Sequence, residues 1–279
     1  MLKSGITKAR LGDYAAAIID FSAAITLDSS QAEPYFNRGV ARLESGDYSN
    51  AVHDLSKTIS LKPLIPEPYF NRGKALMNLK EYYAAMADFS KAISLKSDHV
   101  EAFLNRGLAK YNTCNTREAI NDYTRALAYQ PVFPEASYNR GLARFDMKDF
   151  PGAMDDFNQA INVDPERPEY FSARGACHAA LKAYEDAITD FNYALALHPD
   201  FPDALRNKAL AYLIMERYPE AIESLDRLLT LIPEDRDALS QRGVARFNSG
   251  DNEGACADWK QAMSAGSGNA ASYVAQYCH

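Results

Sequence analysis

Few side chains in this 279-residue sequence could do chemistry, and their spacing decides whether they do. Asp155 and Asp156 stand together like an acid–base couple. His53, His99, His178, His198 and His279, with Cys114, Cys177, Cys256 and Cys278, complete the candidate bases, nucleophiles and metal ligands. A nucleophile needs a base within hydrogen-bond reach, and a general acid and base need environments that push their pKa values apart. No histidine has a cysteine, serine or carboxylate partner at a defensible spacing, and no phosphate-binding loop, dinucleotide fingerprint or nucleophile elbow occurs. The cysteines form neither a CxxC pair nor a Cys/His cluster at zinc-ligand spacing. The expectation is a chain with no catalytic residue, no metal and no cofactor, hence not an enzyme.

A second set of charged residues is regular. Arg38, Arg72, Arg106, Arg140, Arg174 and Arg242 are each followed sixteen residues later by an aspartate: Asp54, Asp88, Asp122, Asp156, Asp190 and Asp258. Where the arginine becomes Lys208, the aspartate becomes Ser224. Partners kept or lost together point to an ion pair between two segments of one structural unit; a basic stripe facing an acidic ligand is the alternative. Asp156 belongs to this series, so Asp155 is expected to be solvated surface and the couple to be an accident of adjacency.

The elements that position these residues repeat with a period of 34. An alanine recurs at Ala17, Ala51, Ala85, Ala119, Ala153, Ala187, Ala221 and Ala255, followed four residues on by a large apolar side chain, from Phe21 to Trp259. Three further on stands a small residue, mostly alanine; these offsets put all three on one face of a helix, helix B of each repeat. Upstream, an aromatic or apolar residue followed by Arg-Gly, as in Tyr35-Arg38-Gly39 and Tyr69-Arg72-Gly73, marks a first helix A. Glycine costs about 1 kcal/mol of helix propensity against alanine, so its recurrence implies a neighbour too close for a Cβ. Breakers such as Gly12-Asp13, Gly46-Asp47 and Gly250-Asp251 separate the helices, and prolines such as Pro63, Pro131 and Pro199 close the repeats.

This pattern resembles the tetratricopeptide repeat family. The resemblance implies an all-α, right-handed superhelical solenoid of helix-turn-helix repeats, at 1–31, 32–65, 66–99, 100–133, 134–167, 168–201, 202–235 and 236–268, with 269–279 as a C-terminal capping helix that turns Tyr273, Val274 and Tyr277 onto the open end of the array. The first repeat lacks its beginning, which favours a piece of a longer chain over a degenerate first repeat. The closing segment, Gly254 to Trp259 and then Tyr277-Cys278, resembles the ends of bacterial arrays of this family, particularly in Bacteroidetes. Cys256 and Cys278 are therefore expected to lie close in space, as a disulfide or as two buried thiols.

A net charge of −7 with no Lys/Arg-rich run argues against nucleic acid, whose phosphates require a basic surface. No run approaches the roughly 18 apolar residues of a membrane span. The chain is expected to be soluble, cytoplasmic or, if a leader was removed, periplasmic. Its expected partner is a protein or peptide.

In helix A the face opposite the constrained residues holds positions 2, 5, 6, 9, 12 and 13 of each repeat, and the family resemblance implies that this face lines the concave side. Position 5 carries Phe36, Phe70, Leu104 and Tyr138; position 12 carries Leu43, Met77, Tyr111, Phe145, Leu213 and Phe247, which either line the groove or pack between A helices. Position 2 is acidic from Glu33 to Asp237, in the first helical turn where the dipole favours it. Co-chaperones of the family that grip acidic C-termini use lysine and arginine at positions 2, 5 and 6, so that kind of clamp is not expected here. Position 6 instead carries Asn37, Asn71, Asn105, Asn139 and Asn207, with Gln241 last and Ala173 as the gap. Asparagine is a mediocre helix former, but its amide matches a peptide backbone. The row resembles the asparagine ladder inside the tetratricopeptide superhelix of O-linked N-acetylglucosamine transferase; nothing of that enzyme's catalytic domain is present. The sixth repeat has Ser172, Ala173, Ala176, Ala179 and Ala180 on this face, which predicts a depression between Tyr138 and Phe145 on one side and Arg206, Leu210 and Leu213 on the other. The expected function is a scaffold that holds an extended peptide in this groove; the alternative is a structural assembly unit that self-associates through repeat ends or its outer face.

Overall fold

Helices joined in pairs by three-residue turns, with one unpaired helix after the last pair, make up the computed structural model, which describes residues 1–278. Two compact units are formed, Met1–Ala143 and Arg144 to the C-terminus. Unit 1 holds α1 (Leu2–Arg10), α2 (Tyr14–Leu27), α3 (Ala32–Glu44), α4 (Tyr48–Leu61), α5 (Pro66–Asn78), α6 (Tyr82–Leu95), α7 (Val100–Asn112), α8 (Thr116–Tyr129) and most of α9 (Pro134–Asp146). Unit 2 holds α10 (Phe150–Val163), α11 (Pro168–Ala180), α12 (Tyr184–Leu197), α13 (Pro202–Ile214), α14 (Tyr218–Leu231), α15 (Arg236–Asn248), α16 (Asn252–Ser264) and α17 (Gly268–Tyr277). Within each unit consecutive helices pack together, and A helices of successive repeats, α3 with α5 or α11 with α13, also touch. The architecture is an all-α helical repeat solenoid. Among the described residues no helix is long and apolar enough to cross a membrane.

The eight period-34 alanines are fully buried, and so are the large residues four positions on, Phe21 through Leu225, with Trp259 at 1 %. Glycine in helix A has the cause its recurrence implied: a Cβ on Gly73 would stand 2.6 Å from the Phe89 ring, and one on Gly175 2.7 Å from Phe191. Proline opens α5, α11 and α13, where a missing N–H costs nothing.

The turn from helix A to helix B needs one residue at positive φ, and its N–H groups bond back onto the last turn, as Asp47 does to Arg42 O at 2.8 Å. Glycine fills the place at Gly12, Gly46 and Gly250. The middle repeats use Lys80, Cys114, Lys148, Lys182 and Glu216 instead, with φ between 57° and 64°. The glycine breakers were legible in the sequence; these five were not, because nothing in a lysine signals a left-handed backbone.

The last helix, α17, packs on α16: Tyr273 stacks on Trp259 with ring centroids 5.0 Å apart, and Tyr277 lies 4.7 Å from Phe247. Cys256 and Cys278 are joined by a disulfide with Cα atoms 5.6 Å apart, which settles the choice between bond and paired thiols.

Candidate peptide-binding faces

The regular arginines are structural. Arg72 donates from Nε and Nη2 to the two carboxylate oxygens of Asp88 at 2.7 Å each, and Arg38–Asp54, Arg106–Asp122, Arg174–Asp190 and Arg242–Asp258 repeat the fork at 2.6–2.9 Å. Each of these aspartates is buried. The hydrogen bonds to Asp88 hold the Arg72 pKa above its ordinary value, against the opposing effect of burial. A third donor, Nη1, reaches the residue sixteen positions upstream on the preceding helix B: Ser22 from Arg38, Ser56 from Arg72, Ser90 from Arg106, Asn158 from Arg174 and Asp226 from Arg242. Sequence reading missed this partner, although a polar residue directly after each helix B anchor was there to be noticed. With all three donor sites committed, these guanidiniums offer no basic stripe to an acidic ligand. At the Lys208 departure the ammonium lies over the Tyr212 ring at 5.7 Å and burial lowers its pKa. Asp155 is exposed and Asp156 buried, accepting from Arg144 at 2.9 Å, so the two do not work as a carboxylate couple. Among the described residues no group of three or more His, Cys, Asp or Glu could hold a metal ion.

In unit 1 the asparagine row is set by its own helices. Asn37, Asn71, Asn105 and Asn139, all half-buried, donate from Nδ2 to the carbonyls of Glu33, Glu67, Glu101 and Glu135 one turn back, at 2.7–3.0 Å. That bond fixes the rotamer and leaves each amide its oxygen and one N–H. Phe36 is half-buried and lines a cleft of about 360 Å³. Phe70 packs within its own repeat, its centroid 5.9 Å from Phe89 and 4.7 Å from His99, and Tyr138 is half-buried on α9. At position 12, Leu43 is buried in the core and Met77 packs beside Leu76 and Phe89.

In unit 2 the alanines of α11 do leave a hollow, of about 280 Å³, lined by Phe145, Ala176, Ala179, Asn207, Leu210 and Ile214 among others. Leu210 is 44 % exposed and Ile214 51 %. Three expected wall residues, Tyr138, Leu213 and Arg206, are absent from it. Leu213 turns to the next cleft, with Tyr218 and Gln241, and Arg206 is drawn to Asp235, its Nη2 2.7 Å from the carboxylate. Burial opposes the ionised form of Asp235, but the Arg206 bond and the N–H groups of Ala238 and Asp237 outweigh it and hold the pKa below the usual range. Beside this pair a polar cleft of about 440 Å³ includes Ser240, Gln241 and Asn269. Gln241 Oε1 is buried there without a hydrogen-bond partner.

Helix pairs of this length and packing have counterparts of known structure. A tetratricopeptide repeat protein from Parabacteroides merdae is 20 % identical over 89 % of this chain and 99 % of its own, with a TM-score of 0.67. The C-terminal part of a TPR repeat-containing protein from Cytophaga hutchinsonii is 18 % identical over 86 % and 99 %, with a TM-score of 0.70. YrrB, described as a TPR protein with an unusual peptide-binding site, is 21 % identical over 67 % and 97 %, with a TM-score of 0.59. At these identities the likeness is one of fold. No curated protein matches the chain. The tetratricopeptide repeat model matches residues 104–170, 143–202, 178–236 and 206–270, and a second tetratricopeptide repeat model matches 66–99. With its buried alanine ladder, helix-turn-helix period and these matches, the chain belongs to the tetratricopeptide repeat family.

Proposed function

We propose that this chain is a protein-interaction scaffold whose A-helix faces hold an extended stretch of another polypeptide. The observation that carries the reading is the hollow at Ala176. Burying Leu210 and Ile214 against a core neighbour would have stabilised the fold at about 25 cal/mol per Å² of apolar surface, yet both stand open around a space that suits one bulky side chain. In unit 1 the asparagine amides add main-chain recognition: held in one rotamer, each presents an acceptor and a donor without regard to the partner's side chains. A similar fold in a protein described as having a peptide-binding site supports the same reading.

Selection of random twelve-residue peptides displayed on phage tests it. Binders should emerge against the intact chain. Ala176→Trp, which fills the hollow, should release those anchored in unit 2. Asn71, Asn105 and Asn139 replaced together by Ala should weaken those held by unit 1 by about 0.5–1.5 kcal/mol per lost bond. Each replacement gives up one bond to its own helix and gains the higher helix propensity of alanine, so melting should change little. Unchanged affinity in these folded variants defeats the proposal.

A further inference from the structure

The cleft at Phe36 lies between the first turns of α3 and α5 and the last turn of α4, and its apolar walls include Ala32, Phe36, Ile65 and Pro68. Glu33 and Glu67, one from each repeat, also line it, with Lys62 beside them. Both carboxylates are exposed, and among the described residues neither forms an ion pair; the same holds for Glu135, while Glu101 lies 3.2 Å from His99 Nδ1. A helix N-terminus accounts for an acid in the first turn. It does not account for the balance of charge: Lys62 is the one cation lining this cleft, against two acids, and among the described residues it forms no ion pair with either. In the second to fifth repeats within unit 1, the groove-facing positions carry Glu33, Glu44, Glu67, Glu101 and Glu135 against Lys74, and Lys74 is already 3.5 Å from Glu44.

The spacing narrows the partner further. The neighbouring A helices α3, α5 and α7 touch in sequence, which sets their axes about 8–10 Å apart. An extended chain in the polyproline II conformation advances about 3.1 Å per residue with three residues per turn, so it passes one repeat every three residues and turns every third side chain to the same side. We propose that unit 1 takes a basic, extended segment of a partner protein: an apolar side chain enters the Phe36 cleft, and Lys or Arg at every third position meets Glu33, Glu67 and the acids that follow. This deepens the scaffold reading and rests on it.

Three fluorescein-labelled peptides, alike but for Lys, Gln or Glu at every third residue around one leucine, test it by anisotropy on the intact chain. The Lys peptide should bind best and lose affinity as salt rises. Glu33→Gln and Glu67→Gln should each weaken it about two- to fivefold, the span of exposed charge pairs. The double variant Glu33→Lys/Glu67→Lys should reverse the preference toward the Glu peptide, which shows a folded, working face. A Gln or Glu peptide that binds the native chain as well as the Lys peptide overturns the charge reading while the scaffold stands. Binding by no peptide here, and none from the displayed library, overturns both. Sedimentation showing a dimer that the double lysine variant dissociates would assign the face to a second copy and also overturn the proposal.

Discussion

Arg72 and Asp88 form a two-pronged ion pair, 2.7 Å at each contact, that joins helix A to helix B of one repeat, and the remaining arginine donor crosses to Ser56 of the repeat before. Asp88 is only 5 % exposed, so its charge depends on that fork. Arg72→Leu should cost about 3–5 kcal/mol in urea unfolding, and Arg72→Leu/Asp88→Leu should recover most of it, because an apolar pair of matched volume does not strand a charge. A double variant no better than the single one would contradict this.

Tyr123 occupies a place that is phenylalanine in several other repeats, and its hydroxyl is buried without a hydrogen-bond partner. Burial pushes its pKa well up. An unsatisfied buried hydroxyl costs about 1–3 kcal/mol, so Tyr123→Phe should stabilise unit 1 by about 1 kcal/mol. Chemical denaturation measures it; a loss of stability would reveal a partner for the hydroxyl.

Lys182 closes the turn between α11 and α12 at φ 64°, where other repeats use glycine. A non-glycine residue in that region costs about 1–2 kcal/mol, and glycine gives back about 0.5–1 through the entropy of the unfolded chain. Lys182→Gly should therefore stabilise by about 0.5–1 kcal/mol, and Gly46→Lys should destabilise by a similar amount.

The thiols should separate into three classes. Cys114 is exposed, Cys177 is buried with its pKa pushed up to about 12 by that burial, and Cys256 and Cys278 are bonded. At neutral pH, a thiol reagent should modify one cysteine per native chain, two after unfolding and four after unfolding with reductant. Reduction should also free α17 and let chymotrypsin cut at Tyr273 in the native state.

The pH dependence of unit 2 should carry the mark of Asp235. Its folded pKa is depressed below the unfolded aspartate value of about 3.9, so it binds its proton later in the folded state than in the unfolded one. Its contribution is complete above about pH 4 and fades as pH falls through the folded value. The stability difference between native chain and Asp235→Asn should be constant near neutrality and shrink below about pH 4; a constant difference at low pH would contradict the ion pair.

What the sequence determined by itself was everything that one repeat builds from its own 34 residues. Ala17, Ala51 and their equivalents are fully buried on the inner face of helix B, and Arg38 and Asp54 face each other because sixteen residues span one helix-turn-helix. Such relations are periodic, and periodicity is visible in a sequence. Relations between repeats depend on how neighbouring A helices nest, and no spacing within a repeat encodes that. Tertiary structure alone placed Ser56 under Arg72, turned Arg206 to Asp235 and away from the hollow at Ala176, exchanged Leu213 for Ile214 in its wall, and decided that Cys256 and Cys278, expected to be neighbours, are bonded. The same holds for the left-handed turn at Lys182: its strain is offset by the packing of the two helices it joins, so the residue itself carries no sign of it.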